Sequence, residues 1–256
     1  MIALVAVCTL CLAAAFNALW IEPFRIEVTR HHISAEVPSP IKIAHLSDIH
    51  TYGLGARERE MIRLVESERP DLIVITGDLI SHSGSYPGCA DVLRKLHAPL
   101  GVWVVRGNHE VWWPVQNESE FYASAGAHIV VNESRRVSQG IWVIGFDDAF
   151  AGSPNLEKGL AGVPPDEFKI ALFHSPAFFD LVAGRCDLAF AGHTHGGQVR
   201  LPLIRPFWLP PSCGSYLEGW YERDGSRMYV SRGIGMSILP IRFMCRPEIA
   251  IVTVGK

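Results

Sequence analysis

The sequence predicts an α/β layered fold set behind one apolar amino-terminal helix. Three observations carry that prediction: near-continuous apolar runs of strand length, amphipathic stretches between several of them, and a charge-free segment at the start. Unbroken apolar runs belong to strands buried on both faces, and the helices between them supply the cover. With 256 residues, 48% hydrophobic and 19% charged, the chain can bury a sizeable core, which excludes disorder as its main state.

The elements follow in order. Ile2–Ile21 contains no Asp, Glu, Lys or Arg. About 20 residues at 1.5 Å rise cover the roughly 30 Å hydrocarbon core of a bilayer. Trp20 stands where an interfacial aromatic belongs, and Pro23 stops the helix. A cleaved signal peptide, with Ala13, Ala14 and Ala15 before the cut, is the alternative; the lack of a basic residue ahead of the apolar run favours an uncleaved anchor. We therefore expect residues 1–22 to be a single-pass transmembrane anchor, 23–40 an extended linker closed by Pro38 and Pro40, and 41–256 the main domain. Arg25 and Arg30 follow the anchor while nothing basic precedes it, which puts that domain in the cytoplasm, with an exported topology as the alternative.

Strand-like runs then appear at Ile41–Ile49, Asp71–Leu79, Gly101–Val105, Ile129–Val131, Ile141–Phe146, Lys169–Phe173 and Asp187–Ala191. Helix-like stretches lie at Ala56–Glu68, Cys89–His97 and Pro176–Ala183. In the first, Met61, Ile62 and Val65 share a face opposite charged residues. Ser175-Pro176 reads as an N-cap followed by proline at the first helical position. The last strands, Met228–Ser231 and Glu248–Val254, lack separating helices, so one mixed sheet and a two-sheet sandwich both stay open. Leu201–Gly219, rich in proline and aromatics, reads as a long ordered loop, a length that often carries function.

Polar, ligand-type residues fall at the ends of those strands. Asp48-Ile49-His50 ends the first and Gly77-Asp78 the second; Gly107-Asn108-His109-Glu110 follows the third. His174 ends a fourth and Gly192-His193-Thr194-His195 a fifth. Ligands of open α/β sheets bind outside the carboxyl ends of strands, so these ends can converge on one site. The spacing of two within Asp48/His50 and within His193/His195 points both side chains of each pair the same way if the backbone is extended. Carboxylate, imidazole and amide oxygen together suit Mn²⁺, Fe or Zn²⁺ better than Ca²⁺. The set exceeds what one ion needs, and two metals are the natural count. His31, His32, His45, His97 and His128 read as structural, while His82, close to Asp78, is a weaker substrate contact. A net charge of −3 without a basic run argues against nucleic acid as a partner. Six scattered cysteines (Cys8, Cys11, Cys89, Cys186, Cys213, Cys245) form neither a disulfide framework nor a zinc cluster.

In its order of motifs the chain resembles the calcineurin-like metallophosphoesterase superfamily, over essentially everything after residue 40. The resemblance implies that Asp48, His50, Asp78 and His195 hold one divalent metal ion, probed first with Mn²⁺. Asp78, Asn108, His174 and His193 would then hold the other, with Asp78 bridging and His109 beside the substrate phosphate. It also implies a four-layer sandwich of two mixed β-sheets flanked by helices. Gly196-Gly197-Gln198-Val199, Tyr229–Gly235 and Arg242-Phe243…Arg246-Pro247-Glu248 are similar to the bacterial single-span group, which includes membrane phosphodiesterases and a UDP-2,3-diacylglucosamine diphosphatase. That likeness implies a location at the bacterial inner membrane. Leu79-Ile80-Ser81 after Gly-Asp lacks the acidic residue of protein phosphatases, which speaks against a phosphoprotein substrate.

The implied chemistry is hydrolysis of a phosphoester, as a phosphodiesterase or pyrophosphatase, by a hydroxide bridging two cations, with His109 and Asn108 as catalytic residues beside it. The alternatives are a catalytically silent membrane-anchored binding module and an exported phosphatase acting on cell-envelope polymers. Arg232 is a candidate fork for the substrate phosphate. Trp112, Trp113, Phe207, Trp208, Leu209, Trp220 and Tyr221 flank the motifs. They either pack under the loops or form an apolar rim for a lipid-linked or nucleotide-linked substrate. No protein partner is expected.

Overall fold

The structure is a computed structural model describing residues 1–256. Helix α1 (Ile2–Phe16) continues through a π-helical turn, Asn17–Ile21, and a 3₁₀ turn, Glu22–Phe24. None of the residues of α1 is buried, and the span Ile2–Phe24 has a mean hydropathy of 2.4 in its most apolar window. A helix apolar on every side and packed against nothing suits a bilayer, which supports membrane anchoring.

Twelve strands follow, in two sheets. The first orders β1 (Glu27–Ile33), β12 (Glu248–Val254), β2 (Ile41–Leu46), β3 (Leu72–Thr76), β4 (Val102–Val105) and β5 (His128–Ile129). The second orders β10 (Gly219–Arg223), β11 (Ser226–Val230), β9 (Leu188–Ala191), β8 (Phe168–Leu172), β7 (Ile141–Gly145) and β6 (Glu133–Ser138). Both are mixed: β12 runs antiparallel to β2 in one, and β6 and β10 antiparallel to β7 and β11 in the other. The question left open by the last strands is thus resolved as two sheets. Their inner faces meet in a core that includes Ile43, Val74, Val105, Ile170, Leu172 and Val252. The outer face of the first sheet packs on α2 (Ala56–Glu68) and α3 (Tyr86–Leu93) through Met61, Val65, Ala90 and Leu93. That of the second packs on the 3₁₀ turn Pro176–Phe178 and the short helix Phe179–Val182 through Phe178, Phe179 and Val182. Four layers result.

Three sequence expectations need correction. Residues 23–40 are more than a linker: β1 pairs in parallel with β12 from Glu27↔Glu248 to Ile33↔Val254, so this stretch is part of the sheet. Strands β6 and β10 escaped the apolar pattern because they are outermost and half-exposed, with arginine, glutamate and serine where a central strand carries valine. The Cys89–His97 stretch is helical over Tyr86–Leu93 instead, shifted by Pro87 at its start.

Candidate metal centre

The carboxyl ends of β2, β3 and β4 meet those of β8 and β9. Backbone pairing continues past the strands: Asp48 N donates to Gly77 O (3.1 Å) and His50 N to Asp78 O (2.9 Å). From the other sheet, Gly192 N donates to His174 O (3.0 Å). The two sheets are tied together where His193 N reaches both Asp48 carboxylate oxygens (3.2 and 3.1 Å). Asp48, His50, Asp78, Asn108, His174, His193 and His195 are all buried, and their polar atoms converge. His50 Nε2 lies 3.3 Å from His195 Nε2 and 3.6 Å from Asp78 Oδ2. His195 Nε2 lies 3.4 Å from Asp48 Oδ1. On the other side of Asp78, His174 Nε2 is 3.4 Å from Asp78 Oδ2, 3.2 Å from Asn108 Oδ1 and 3.0 Å from His193 Nδ1.

The backbone that achieves this is not the extended one expected from the spacing. Asp48, His50, Asp78, His193 and His195 all have φ between 44° and 70°. Such left-handed conformations cost of order 1–3 kcal/mol each and persist where the surroundings over-determine them. Glycines make the approach possible: a Cβ on Gly107 would sit 2.2 Å from Asp78 Oδ1, and one on Gly192 1.8 Å from Ser47 Oγ.

Ring hydrogen bonds fix which nitrogens face inward. His174 Nδ1 donates to Thr76 O (2.7 Å) and His193 Nε2 to Pro211 O (2.8 Å). Their remaining nitrogens, His174 Nε2 and His193 Nδ1, therefore point lone pairs at each other and at Asn108 Oδ1. Lone pairs gathered this closely call for a positive charge between them. Imidazole, carboxylate and amide oxygen are the donor set of a transition-metal site, and the outward bonds to carbonyls are those that orient metal-ligating histidines. The residues fit a divalent cation.

The electrostatics agree. Burial pushes the Asp48 carboxyl up to about 6. Burial acts the same way on Asp78, but His174, His50 and His109 override it and hold that carboxyl well below its usual range. Burial lowers His50 to about 3, and burial with His174 lowers His193 to about 4. His195 also falls well below its ordinary value, chiefly by burial, and its Nδ1 is buried without a partner. Neutral imidazoles are the form that ligates metal. Burial also acts to lower His174, but Asp78 and Asp48 override it and raise that ring well above its ordinary value, a measure of the negative charge that faces its Nε2.

Comparison with known proteins names the family. The profile of the calcineurin-like phosphoesterases matches residues 41–197, the segment holding every one of these ligands. The chain belongs to the calcineurin-like phosphoesterase family. A metallophosphoesterase of Bacillus subtilis, YkuE, is 34% identical over 92% of this chain and 88% of its own. The phosphodiesterase YaeI of Escherichia coli is 28% identical over 90% and 89%. A bovine transmembrane protein with a metallophosphoesterase domain is 32% identical over 88% of this chain and 55% of its own. Among solved structures, TT1561 of Thermus thermophilus shares the fold, with a TM-score of 0.51, 15% identity and 77% and 91% coverage. This phosphoesterase is accordingly a metal-dependent hydrolase of phosphoester bonds, and its family binds two divalent metals.

Above the phosphoesterase's cluster opens a cavity of about 740 Å³, floored by Asp78, Asn108, His109, His193 and His195. His109 donates through Nδ1 to Ser81 O (2.9 Å), which leaves Nε2 turned inward, 4.0 Å from Asp78 Oδ2. The walls are apolar: Trp112, Phe150, Phe207, Trp208, Ile238 and Leu239. Trp112, Phe207 and Trp208 line the cavity and are exposed as a rim would be, whereas Trp113 is exposed outside the lining and Leu209 is half-buried outside it. Trp220 and Tyr221 are not part of it; Trp220 packs on the inter-sheet core, donating to His31 Nδ1 (3.2 Å), and Tyr221 packs under the loops.

Arg232 must be reassigned. Its guanidinium donates to the exposed Glu27 (2.9 Å) and the buried Glu248 (3.3 Å) and lies outside the cavity, so it is engaged by carboxylates and is not a phosphate fork here. His82 likewise caps a local turn, its Nδ1 accepting from Gly84 N (3.0 Å). Sequence reasoning passed over Glu110. It is buried, and its carboxylate accepts from Asp78 N, Leu79 N, Ile80 N and Gly107 N at 2.8–3.2 Å, clamping the β3 and β4 ends together. Burial and the charge of Asp78 push it up to about 7, against those amides. Its signal was available: Glu three residues after a helix-starting Gly107 is half of a capping box. Phe150 was also missed, because no motif precedes it.

Proposed function

We propose that the phosphoesterase cleaves a phosphodiester or diphosphate bond next to an apolar, lipid-linked group. The observation that carries this reading is the continuity of one cavity from the histidine–aspartate cluster to the walls of Trp112, Phe150, Trp208 and Ile238. A phosphate would bind at the floor while an apolar chain lies along the wall, each removed from water by matching chemistry.

In this reading Asp48, His50, His195 and Asp78 hold one divalent cation. Asp78, Asn108, His174 and His193 hold the second, and Mn²⁺ is the ion to supply first. When bound, such a pair acidifies water and neutralises charge on phosphoryl oxygens. The protein's own groups do the rest. Thr76 O and Pro211 O keep the His174 and His193 rings turned inward. Asn108 offers its amide N–H to a phosphate oxygen. His109, held by Ser81 O, carries a proton at Nε2 toward the leaving oxygen. The aromatic wall excludes bulk water from the bond that breaks. In this reading the apolar helix anchors the enzyme in the bacterial inner membrane with the catalytic domain on the cytoplasmic side, which carboxyl-terminal reporter fusions test.

The deciding experiment is a rate panel in Mn²⁺ on bis-p-nitrophenyl phosphate, p-nitrophenyl phosphate and UDP-2,3-diacylglucosamine, for native enzyme and His109→Ala. We expect the diester or the diphosphate to be preferred over the monoester, and His109→Ala to lose about 10²–10⁴-fold. A monoester preference, or a variant as fast as the native enzyme on every compound, overturns the reading.

A further inference from the structure

The anchor is not loosely tethered to the enzyme. Ala18 and Glu22, at its carboxyl end, are buried in the domain. Ala18 O accepts from Arg242 N (3.0 Å), and Glu22 Oε1 from Cys245 N (2.5 Å). Arg242 is itself fully buried, its guanidinium donating to Gly235 O (2.6 Å) and Arg232 O (2.9 Å). A joint made of buried polar contacts fixes the domain's orientation relative to the helix, and so relative to any bilayer the helix crosses.

The segment that grips the anchor also carries exposed apolar side chains. Ile238, Leu239 and Met244 flank Arg242 and are exposed. Loop 199–208 is tied to this segment: Arg200 N donates to Phe243 O (2.9 Å), Phe243 N to Gln198 O (3.0 Å), and Gln198 Nε2 to Ser237 O and Leu239 O (3.0 Å each). That loop adds Leu203, Ile204, Phe207 and Trp208, all exposed. Three exposed arginines accompany the patch, Arg25, Arg205 and Arg246, and none of them has a carboxylate within ion-pair distance. Apolar tips mixed with unpaired cations are the composition of a surface that sits in a headgroup layer, apolar groups at the acyl boundary and cations on lipid phosphates.

We infer that loops 201–208 and 238–244 form a second, monotopic membrane contact that seats the mouth of the catalytic cavity on an anionic bilayer. Continuity with the anchor joint commits the patch to lipid over a soluble partner. Phe207, Trp208, Ile238 and Leu239 belong both to this surface and to the cavity wall. The cavity therefore opens toward the lipid, and amphiphilic molecules would enter it sideways from the leaflet.

The test needs no substrate, so it fails or succeeds apart from the catalytic reading. Full-length protein carrying Cys8→Ser and Cys11→Ser, whose remaining cysteines are buried, is given one nitroxide at Leu203→Cys or at Gln139→Cys. Leu203 is fully exposed and outside the cavity, and Gln139 is exposed in the turn before β7, at the strand end away from the cluster. In nanodiscs of phosphatidylcholine and phosphatidylglycerol, power-saturation measurements should show position 203 losing collisions with a nickel chelate while keeping those with oxygen. Position 139 should show the reverse. Equal chelate access at both positions overturns the proposal. So does protection at 203 accompanied by spin–spin broadening, which would assign the patch to a second copy of the chain.

Discussion

The metal cluster and the aromatic rim share one cavity but are built on opposite principles. Every ligand of the cluster is buried, and four of them are held by a second bond: Asp78 Oδ1 accepts from His109 N (2.9 Å), Asp48 accepts from His193 N, and the His174 and His193 rings donate to Thr76 O and Pro211 O. The rim residues Phe207, Trp208, Ile238 and Leu239 stand exposed on loops. Chemistry that depends on ångström-scale placement sits at the ends of rigid strands, while recognition of a substrate's bulk is left to loops, which tolerate change. The left-handed backbone at five ligands belongs to the rigid side, because only a framework with surplus stability can hold it.

The most damaging way to break this contrast is Asp78→Ala. That carboxylate faces both halves of the cluster, so the variant should lose bound cations and about 10³-fold or more in rate, read by metal analysis and bis-p-nitrophenyl phosphate hydrolysis. Glu110→Gln comes next. Glu110 touches no substrate; it positions the β3 and β4 ends, so metal affinity measured by calorimetry should fall about 10–100-fold and be restored in part by Glu110→Asp. Unchanged affinity would mean that the strand ends hold themselves.

A third prediction concerns pH and the core beneath the cluster. His45 is fully buried, its ring bonded to Thr76 Oγ1 (2.8 Å), and burial lowers it to about 3 from 6.5, against Glu248. Below pH 6.5 the unfolded chain takes up a proton that the folded one refuses, so stability falls as pH drops from 6.5 toward 3. At pH 5 this amounts to roughly 2 kcal/mol. Denaturant titrations of His45→Gln should show a shallower loss between pH 6.5 and 5 than the native protein. The smallest effect belongs to the rim: Phe207→Ala with Trp208→Ala should raise KM for an amphiphilic phosphoester about tenfold, roughly 1.4 kcal/mol, and leave the small chromogenic diester unchanged. Equal losses on both compounds would dissolve the distinction between cluster and rim.

How much could be read before folding varied with the kind of signal. Central strands such as β3 and β8 announced themselves because Leu72–Thr76 and Phe168–Leu172 are almost wholly apolar. The ligands were legible because Asp-x-His, Gly-Asp, Gly-Asn-His-Glu and Gly-His-x-His each follow such a run. β1 and β10 were not legible, since at the edge of a sheet a strand needs no apolar pattern and is recruited by its neighbour's free hydrogen bonds. Arg232 was misjudged for a related reason: an arginine beside glycines looks the same whether a phosphate or Glu248 will meet it.

Local order alone thus determined the strands of the core, the apolar helix and the inventory of metal-binding side chains, because periodicity and residue chemistry act over short stretches. Only the packed chain decided that Asp48 and His193, from different sheets, would touch. It alone locked the anchor to Arg242 and turned the exposed tips of two distant loops to the same side. Such contacts depend on how layers stack and where their edges meet, and no short window of sequence contains that information.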